Sequence, residues 1–281
     1  MPRSSPGSNR IVAASLVLAL AASAGALAWI SATSARATPL RALWHMIDDA
    51  QASHPNALWH IVHNLCVVDM QASGHPAPCA RVDLKGGYAV IKDMARRTQY
   101  LLIPTARVTG IESPSLLEPG SPNYWRDAWQ ATDLIAKQLK QPIPREDLGL
   151  AVNSLNGRTQ NQLHIHIDCV QPEVKAYLRD HNAEFGPRWQ TMSDRLVGRW
   201  YQVRWVDGAD LGVNDPFKLL AEAPLARARM DEETLVVIGA SRADGTPGFI
   251  LLSDKLNWAE NDTAAGESLL DHRCRVLSAG G

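Results

Sequence analysis

The run Asn161-Gln162-Leu163-His164-Ile165-His166-Ile167-Asp168 alternates strictly in polarity. A period of two is the signature of a half-buried β-strand. Leu163, Ile165 and Ile167 take one face, and His164, His166 and Asp168 take the other. The chain therefore needs a sheet whose apolar side closes on a core. The opposite side presents two imidazoles and a carboxylate in a row, about 7 Å between successive same-face residues. Two histidines on an open sheet face are often ordinary polar residues. The full alternation, with Asn161 and Gln162 upstream, points instead to a site that handles phosphate or metal.

The flanking segments place this strand in a fold. Leu40 to Cys66 has helical spacing, interrupted near Pro55. Met70 to Val82 is a loop rich in Pro and Gly. Tyr88 to Asp93 and Gln99 to Pro104 are two apolar runs joined by a short polar connection, which predicts an antiparallel hairpin. Val108 to Pro122 is a loop. Asn123 to Lys140 is an amphipathic helix, with Trp125, Trp129, Leu134, Ile135 and Leu139 on one face and Ser121-Pro122 at its start. Leu148 to Val152 is a strand, and a turn at 153–159 leads into the histidine strand at Gln162 to Val170. Beyond Pro172 come a short helix, a strand at Trp200 to Val206, a helix at Pro216 to Met230, and strands at Leu235 to Ile238 and Gly248 to Leu252. This order is α+β: an antiparallel sheet with flanking helices, extended by a C-terminal α/β segment. The second half is either a degenerate repeat of the first or an extension of the same sheet.

The N-terminus reads differently. Arg3 and Arg10 precede Ile11 to Ile30, an uncharged and mostly apolar run long enough to cross a bilayer as a helix. Ala35-Arg36-Ala37 follows, a pattern that signal peptidase cuts. Cleavage releases a soluble exported protein; retention leaves a single transmembrane helix with its basic end in the cytoplasm. The length of the run favours the anchor. The chain thus divides into an anchor or signal segment (1–37) and an exported domain (38–281), with a core at about 85–172 and an extension at about 173–281.

Export agrees with the cysteines. Cys66, Cys79, Cys169 and Cys274 form an even set suited to an oxidising compartment. Of three pairings, Cys66–Cys79 closes a short loop worth roughly 3 kcal/mol in the chain-entropy model. It leaves Cys169–Cys274, which ties the C-terminus to the histidine strand. Four buried free thiols are the alternative, and the spacings match no zinc motif. The net charge of −1, from 28 basic and 29 acidic residues, gives no global attraction to nucleic acid. An anionic ligand must be held by local groups.

Several segments carry a resemblance. They are Gly87-Tyr88-Ala89-Val90-Ile91-Lys92-Asp93, Gln99 to Thr105, Glu112-Ser113-Pro114, Asn153-Ser154, and Gly157-Arg158-Thr159-Gln160-Asn161 running into His164-Ile165-His166-Ile167. Together they resemble the histidine triad superfamily and, within it, the bacterial CDP-diacylglycerol pyrophosphatases. The resemblance spans roughly residues 60 to 275, and Gly157 to Cys169 is its most specific part. The N-terminal apolar run and the four cysteines fit it. It implies a histidine triad-like sheet in an enzyme anchored in the bacterial inner membrane. The catalytic domain is then periplasmic and cleaves CDP-diacylglycerol to CMP and phosphatidate. It also implies that His166, at the position of the superfamily's second histidine, is the nucleophile and that His164 is the first. Asp168 stands where the third histidine is expected.

An imidazole can attack phosphorus near neutral pH, because its ordinary pKa is about 6.5. One ring nitrogen must be free and the other held by an acceptor, a backbone carbonyl or Asp168. Charge on the phosphate oxygens needs positioned donors. His164, Asn153, Gln160 and Asn161 are candidates, with Lys92 and Arg158 for the distal phosphate. The scheme uses no metal and no cofactor. The rival is a Zn²⁺ site, since His-x-His with Asp on one face suits that ion. Its missing ligand would come from His60, His63 or His181, all on segments that read as helical or irregular. Trp125 and Trp129 read as helix core. A soluble nucleotide pyrophosphate as substrate, or a nucleotide-binding domain without turnover, are the other functional readings. The anchor favours a lipid substrate.

Overall fold

The computed structural model describes residues 54–278. The apolar N-terminal run lies outside them. Among the described residues no helix is long and apolar enough to cross a membrane.

Strands β1 (Arg81–Asp83), β2 (Tyr88–Lys92), β3 (Tyr100–Pro104), β4 (Leu148–Val152) and β5 (Ile165–Val170) come from the first half. The second half adds β6 (Gln190–Thr191), β7 (Gln202–Asp207), β8 (Glu233–Ser241), β9 (Pro247–Lys255) and β10 (Leu270–Asp271). All join one sheet in the order β1-β2-β3-β5-β4-β8-β9-β7-β6, with β10 beside β5. Every pairing is antiparallel. The later strands thus extend the first sheet, through β4 and β8, rather than building a second one.

The alternation in β5 does what its period demands. Ile165 and Ile167 fall in one apolar layer with Leu102, Leu150, Val237 and Leu251. Helices α3 (Tyr124–Gln130) and α4 (Asp133–Leu139) cover that layer through Trp125, Ala128 and Ile135. On the other face, His166 lies between Leu101 of β3 and Ala151 of β4. Helix α5 (Pro172–His181) covers part of this face with Val174 and Leu178.

Three helical expectations are corrected. The segment 216–230 forms two short helices, Pro216–Leu220 and Pro224–Ala228, the second opened by its own proline, rather than one. The segment 123–140 forms two helices rather than one. Thr132 Oγ1 donates to the Trp129 carbonyl at 2.7 Å, and the amide of Ala131 bonds back to Ala128. A hydroxyl competing for a helix carbonyl, together with three-residue bonding, ends the first segment. Its start is set by Asn123, whose side chain accepts from the Arg126 amide, and not by Ser121. At the N-terminal side, α1 (Ala57–Ile61) continues through a π-helical turn (Val62–Cys66) into α2 (Val67–Ser73). The helix therefore overruns the loop expected from Met70. Gly74, at φ 73°, ends it.

Both expected cysteine pairs are bonded, Cys66 with Cys79 and Cys169 with Cys274. The second spans 105 residues. Closing a loop of that length is worth about 4.7 kcal/mol in the chain-entropy model. It also holds β10 against the last residues of β5, where Leu270 pairs with Val170 and Asp271 with Cys169.

Gly149 makes room for this strand. A Cβ there would lie 2.7 Å from Leu270 Cδ2 and 3.1 Å from Val170 Cγ2. Gly149 also faces Asp168 across the β4–β5 pair. Gly149→Ala is expected to cost about 1–3 kcal/mol by overpacking. Thermal unfolding would show the lowered midpoint, with activity falling in step as β10 shifts. An unchanged midpoint would mean that β10 yields freely.

Candidate active site

The polar face of β5 is buried. His164 and His166 are 8% and 6% exposed, and Asp168 is fully covered. The two rings meet edge-on with centroids 4.9 Å apart.

His164 is a neutral imidazole. Its Nδ1 donates to the Gln162 carbonyl at 2.8 Å. Burial, then the neighbouring His166, pulls its pKa down to about 4. Gln162 is itself fixed, donating to the carbonyls of Pro104 and Ala106. A neutral ring with its one N–H bound to a carbonyl has no donor left for a phosphate oxygen.

His166 is held from both sides. The Gln99 side-chain amide meets its Nδ1. Glu267 Oε2 lies 3.0 Å from its Nε2. That approach is off the line of a hydrogen bond, so Nε2 is a buried nitrogen with a charged neighbour but no directed partner. Burial pushes the Glu267 carboxyl up. His166, His164 and His272 together outweigh it and hold the group at about 2. Glu267 is therefore ionised at any physiological pH.

Asp168 holds a different ring. Its Oδ2 accepts from His272 Nδ1 at 2.9 Å. Its Oδ1 accepts from Thr98 Oγ1 at 2.6 Å and from the Cys169 amide at 2.9 Å. Burial raises the Asp168 carboxyl, against these donors. The third imidazole of the site thus comes from beyond β10 rather than from β5. Thr98 and Gln99 enter from the start of β3, and the Thr98 amide donates to the His272 carbonyl. Glu267 is placed by its own backbone, which donates to Asn153 Oδ1 at 3.1 Å, and by its neighbour Gly266, whose amide donates to Thr234 Oγ1 at 2.9 Å.

The remaining sequence candidates are placed as follows. Asn153 positions Glu267. Gln160 accepts from the Leu58 amide and donates to the His54 carbonyl, tying α1 to the turn before β5. Asn161 is exposed, and its amide donates to the Pro55 carbonyl. Lys92 donates to the carbonyls of Asp93 and Arg96 at 2.6 Å each. Arg158 makes a two-pronged pair with Glu112, at 2.7 and 2.8 Å, and its side chain is 4% exposed. Arg158 is still close enough to His164 to add to the lowering of its pKa. Trp125 and Trp129 lie in or against the core. His63 stacks on Trp59, and His181 bonds to Glu184.

Gln99, Glu267 and His272 escape sequence reasoning. Glu267 and His272 lie about a hundred residues beyond β5, in a segment without periodicity. One signal did reach them: the Cys169–Cys274 pairing brings residues near 270 to the end of the histidine strand.

Glu267 and His272 also line a cavity of about 710 Å³ between the β2–β3 connection and the C-terminal segment. Among the described residues, the one grouping of metal-ligand atoms is Asp168 with Cys169 and Cys274. Its two sulfurs are joined to each other, so it offers no thiolate.

Paired imidazoles beside an ionised carboxylate that lines a cavity suit a hydrolase that acts on phosphorus-containing acid anhydrides. Sequence comparison carries this further. Residues 53–278 match the family model for CDP-diacylglycerol pyrophosphatase. A relative from Yersinia pestis, named CDP-diacylglycerol pyrophosphatase, is 44% identical over 213 residues, which cover 75% of this chain and 81% of that protein. The chain belongs to the CDP-diacylglycerol pyrophosphatase family.

Proposed function

We propose that this chain hydrolyses CDP-diacylglycerol to CMP and phosphatidate through a nucleotidyl-histidine on His166. Its family supports the substrate. The observation that carries the mechanism is the contact of His166 Nε2 with an ionised carboxylate, while Gln99 holds Nδ1.

In the resting arrangement the Gln99 amide nitrogen faces Nδ1, which puts the ring proton on Nε2 beside Glu267. A half-turn of the carboxamide presents its oxygen instead. The ring proton then moves to Nδ1, and Nε2 keeps a lone pair for attack. Nε2 bonds to the cytidylyl phosphorus. The P–O bond to the second phosphate breaks, and phosphatidate leaves with the electron pair. The ring, now bonded at both nitrogens, is cationic, and Glu267 stabilises it. Water then attacks phosphorus. His272, oriented by Asp168, accepts a proton from that water through its other nitrogen. The P–N pair returns to His166, and CMP departs. The split into two displacements is the use of covalent catalysis. In this reading the sheet face of His164, His166 and Asp168 is a histidine triad-like site. The N-terminal apolar run anchors it at the inner membrane, facing the periplasm, where the lipid substrate lies.

His164 is the rival nucleophile, because its Nδ1–H is already bound to a carbonyl and its Nε2 is unprotonated. The electrostatics favour His166. A pKa of about 4 means that the surroundings of His164 resist positive charge on the ring by about 3 kcal/mol relative to an ordinary imidazole. Attack makes the ring cationic. His166 has a carboxylate at the attacking nitrogen and His164 does not.

The test is acid-quenched turnover with substrate labelled at the cytidylyl phosphorus. An acid-labile, base-stable label on the protein is expected, lost in His166→Ala and kept in His164→Ala. Label that survives in His166→Ala would move the nucleophile. Steady CMP release with no label would leave direct attack by water.

A further inference from the structure

The cavity beside Glu267 and His272 is strongly basic. Arg96 and Arg97 enter it from the β2–β3 connection, and Arg273 and Arg275 from the segment after β10. Arg275 is paired with Asp271. Arg96, Arg97 and Arg273 are exposed, and among the described residues no acidic side chain pairs with any of them. Elsewhere among the described residues the exposed arginines Arg179, Arg195 and Arg229 have acidic partners; Arg107, Arg188 and Arg227 do not, but none of these three lines this cavity. Three unpaired guanidinium groups about one cavity, next to the catalytic carboxylate, call for an explanation.

The charge on the substrate supplies it. A nucleoside diphosphate diester brings two negative charges to a site that already holds ionised Glu267 and buried Asp168. His164 is neutral and its one N–H is bound. Lys92 donates to two backbone carbonyls and Arg158 is paired with Glu112. The Arg158 guanidinium is thus neutralised, and Lys92 has one of its three N–H donors left, too little for the phosphate farther from the nucleoside. Cleavage makes matters worse, because that phosphate departs as a monoester with greater charge. Guanidinium groups match phosphate oxygens in geometry as well as in charge.

We infer that Arg96, Arg97 and Arg273 form the subsite for the second phosphate, the one bonded to diacylglycerol, and hold it as it becomes a phosphate monoester. The inference rests on the reading of His166 as the group attacking the first phosphorus. It fixes the direction in which the substrate lies. The nucleotidyl phosphorus is at His166, and the glycerol end runs past Glu267 and His272 into the basic cavity. The two walls are joined by the Thr98–His272 backbone bond, and the disulfide two residues beyond His272 ties the C-terminal wall to β5.

The experiment uses the full chain in neutral detergent, with Arg96→Gln, Arg97→Gln and Arg273→Gln singly and together. Short-chain phosphatidate, inorganic phosphate and CMP are titrated by calorimetry. CMP release is followed from soluble CDP-glycerol and from CDP-diacylglycerol in neutral micelles and in phosphatidylglycerol vesicles. The triple variant is expected to bind phosphatidate about tenfold or more weaker, with CMP affinity within about twofold. Its kcat/KM should fall on CDP-glycerol and on micelles alike. Phosphatidate should bind the wild type more tightly than inorganic phosphate does. Unchanged phosphatidate affinity in the triple variant would overturn the subsite. A loss confined to the anionic vesicles would also overturn it and assign the arginines to the bilayer surface. Absence of CMP release by the wild type from any of the three substrates would sink the functional reading instead, and the phosphatidate titration would still report on the cavity.

Discussion

His166→Ala is expected to lower CMP release by about 10⁴-fold or more, the loss typical when a nucleophile is removed and only binding remains. His164→Ala should lose far less. The two rings share a strand, a face and nearly the same burial, so position alone does not separate them. Their nitrogens do. His164 is tied to a backbone carbonyl and sits where positive charge is disfavoured. His166 Nε2 faces a carboxylate that the surrounding imidazoles keep ionised down to about pH 2. Glu267→Gln extends the test. It keeps the shape and removes the charge that stabilises a cationic ring on His166. A fall of about 10²-fold in kcat is expected, with KM little changed or lower, since the substrate's phosphates lose a repelling neighbour. CMP formation from CDP-diacylglycerol measures all three. Equal losses for His164→Ala and His166→Ala, with Glu267→Gln near wild type, would remove the argument for His166.

The parts of this site that were legible in the sequence are local ones. A period of two specifies which residues of β5 share a face, so His164, His166 and Asp168 follow from the apolar residues between them. The β2–β3 hairpin and β4 were legible by a different local signal, as short continuous apolar runs between turn residues. β8 and β9 were read too short. They run through Glu233, Thr234 and Ser253, which are buried because Ser253 bonds to the Glu233 carboxylate and to the Thr234 carbonyl. Composition reads such residues as strand ends. The roles within the site were harder still. Whether Asp168 orients His166 or another ring depends on what β10 brings, and β10 has only two residues. Lys92, Arg158 and Gln160 have the right chemistry for phosphate. The Arg158 bonds to Glu112 and the Gln160 bonds to α1 and the residues before it exist only once distant segments have met, and Lys92 turns onto carbonyls of its own loop.

Asp168→Asn is expected to move stability and activity in opposite directions. The carboxyl is fully buried, and its pKa is raised above that of an ordinary aspartate, by burial first. A carboxyl whose folded pKa lies above its unfolded one binds a proton more readily in the native state. Its ionisation therefore costs the native state stability at neutral pH, and the cost disappears as pH falls below both values. Asparagine removes the charge and keeps the shape. Its oxygen can still accept from Thr98 and from the Cys169 amide. The variant should be at least as stable as wild type at pH 7, and the difference should shrink toward acid pH. Activity should fall. His272 loses the carboxylate that holds its Nδ1 proton, and an amide group in that place favours the other tautomer, with its proton turned toward the cavity. A ring so arranged cannot take a proton from water. The expected loss in kcat is about 10²- to 10⁴-fold, with KM within about twofold, because the ring acts on the water step and not on substrate binding. Thermal unfolding across pH and steady-state CMP release check the two halves separately. A loss of stability with unchanged kcat would make Asp168 a structural anchor for β10, and the water step would then need a different base.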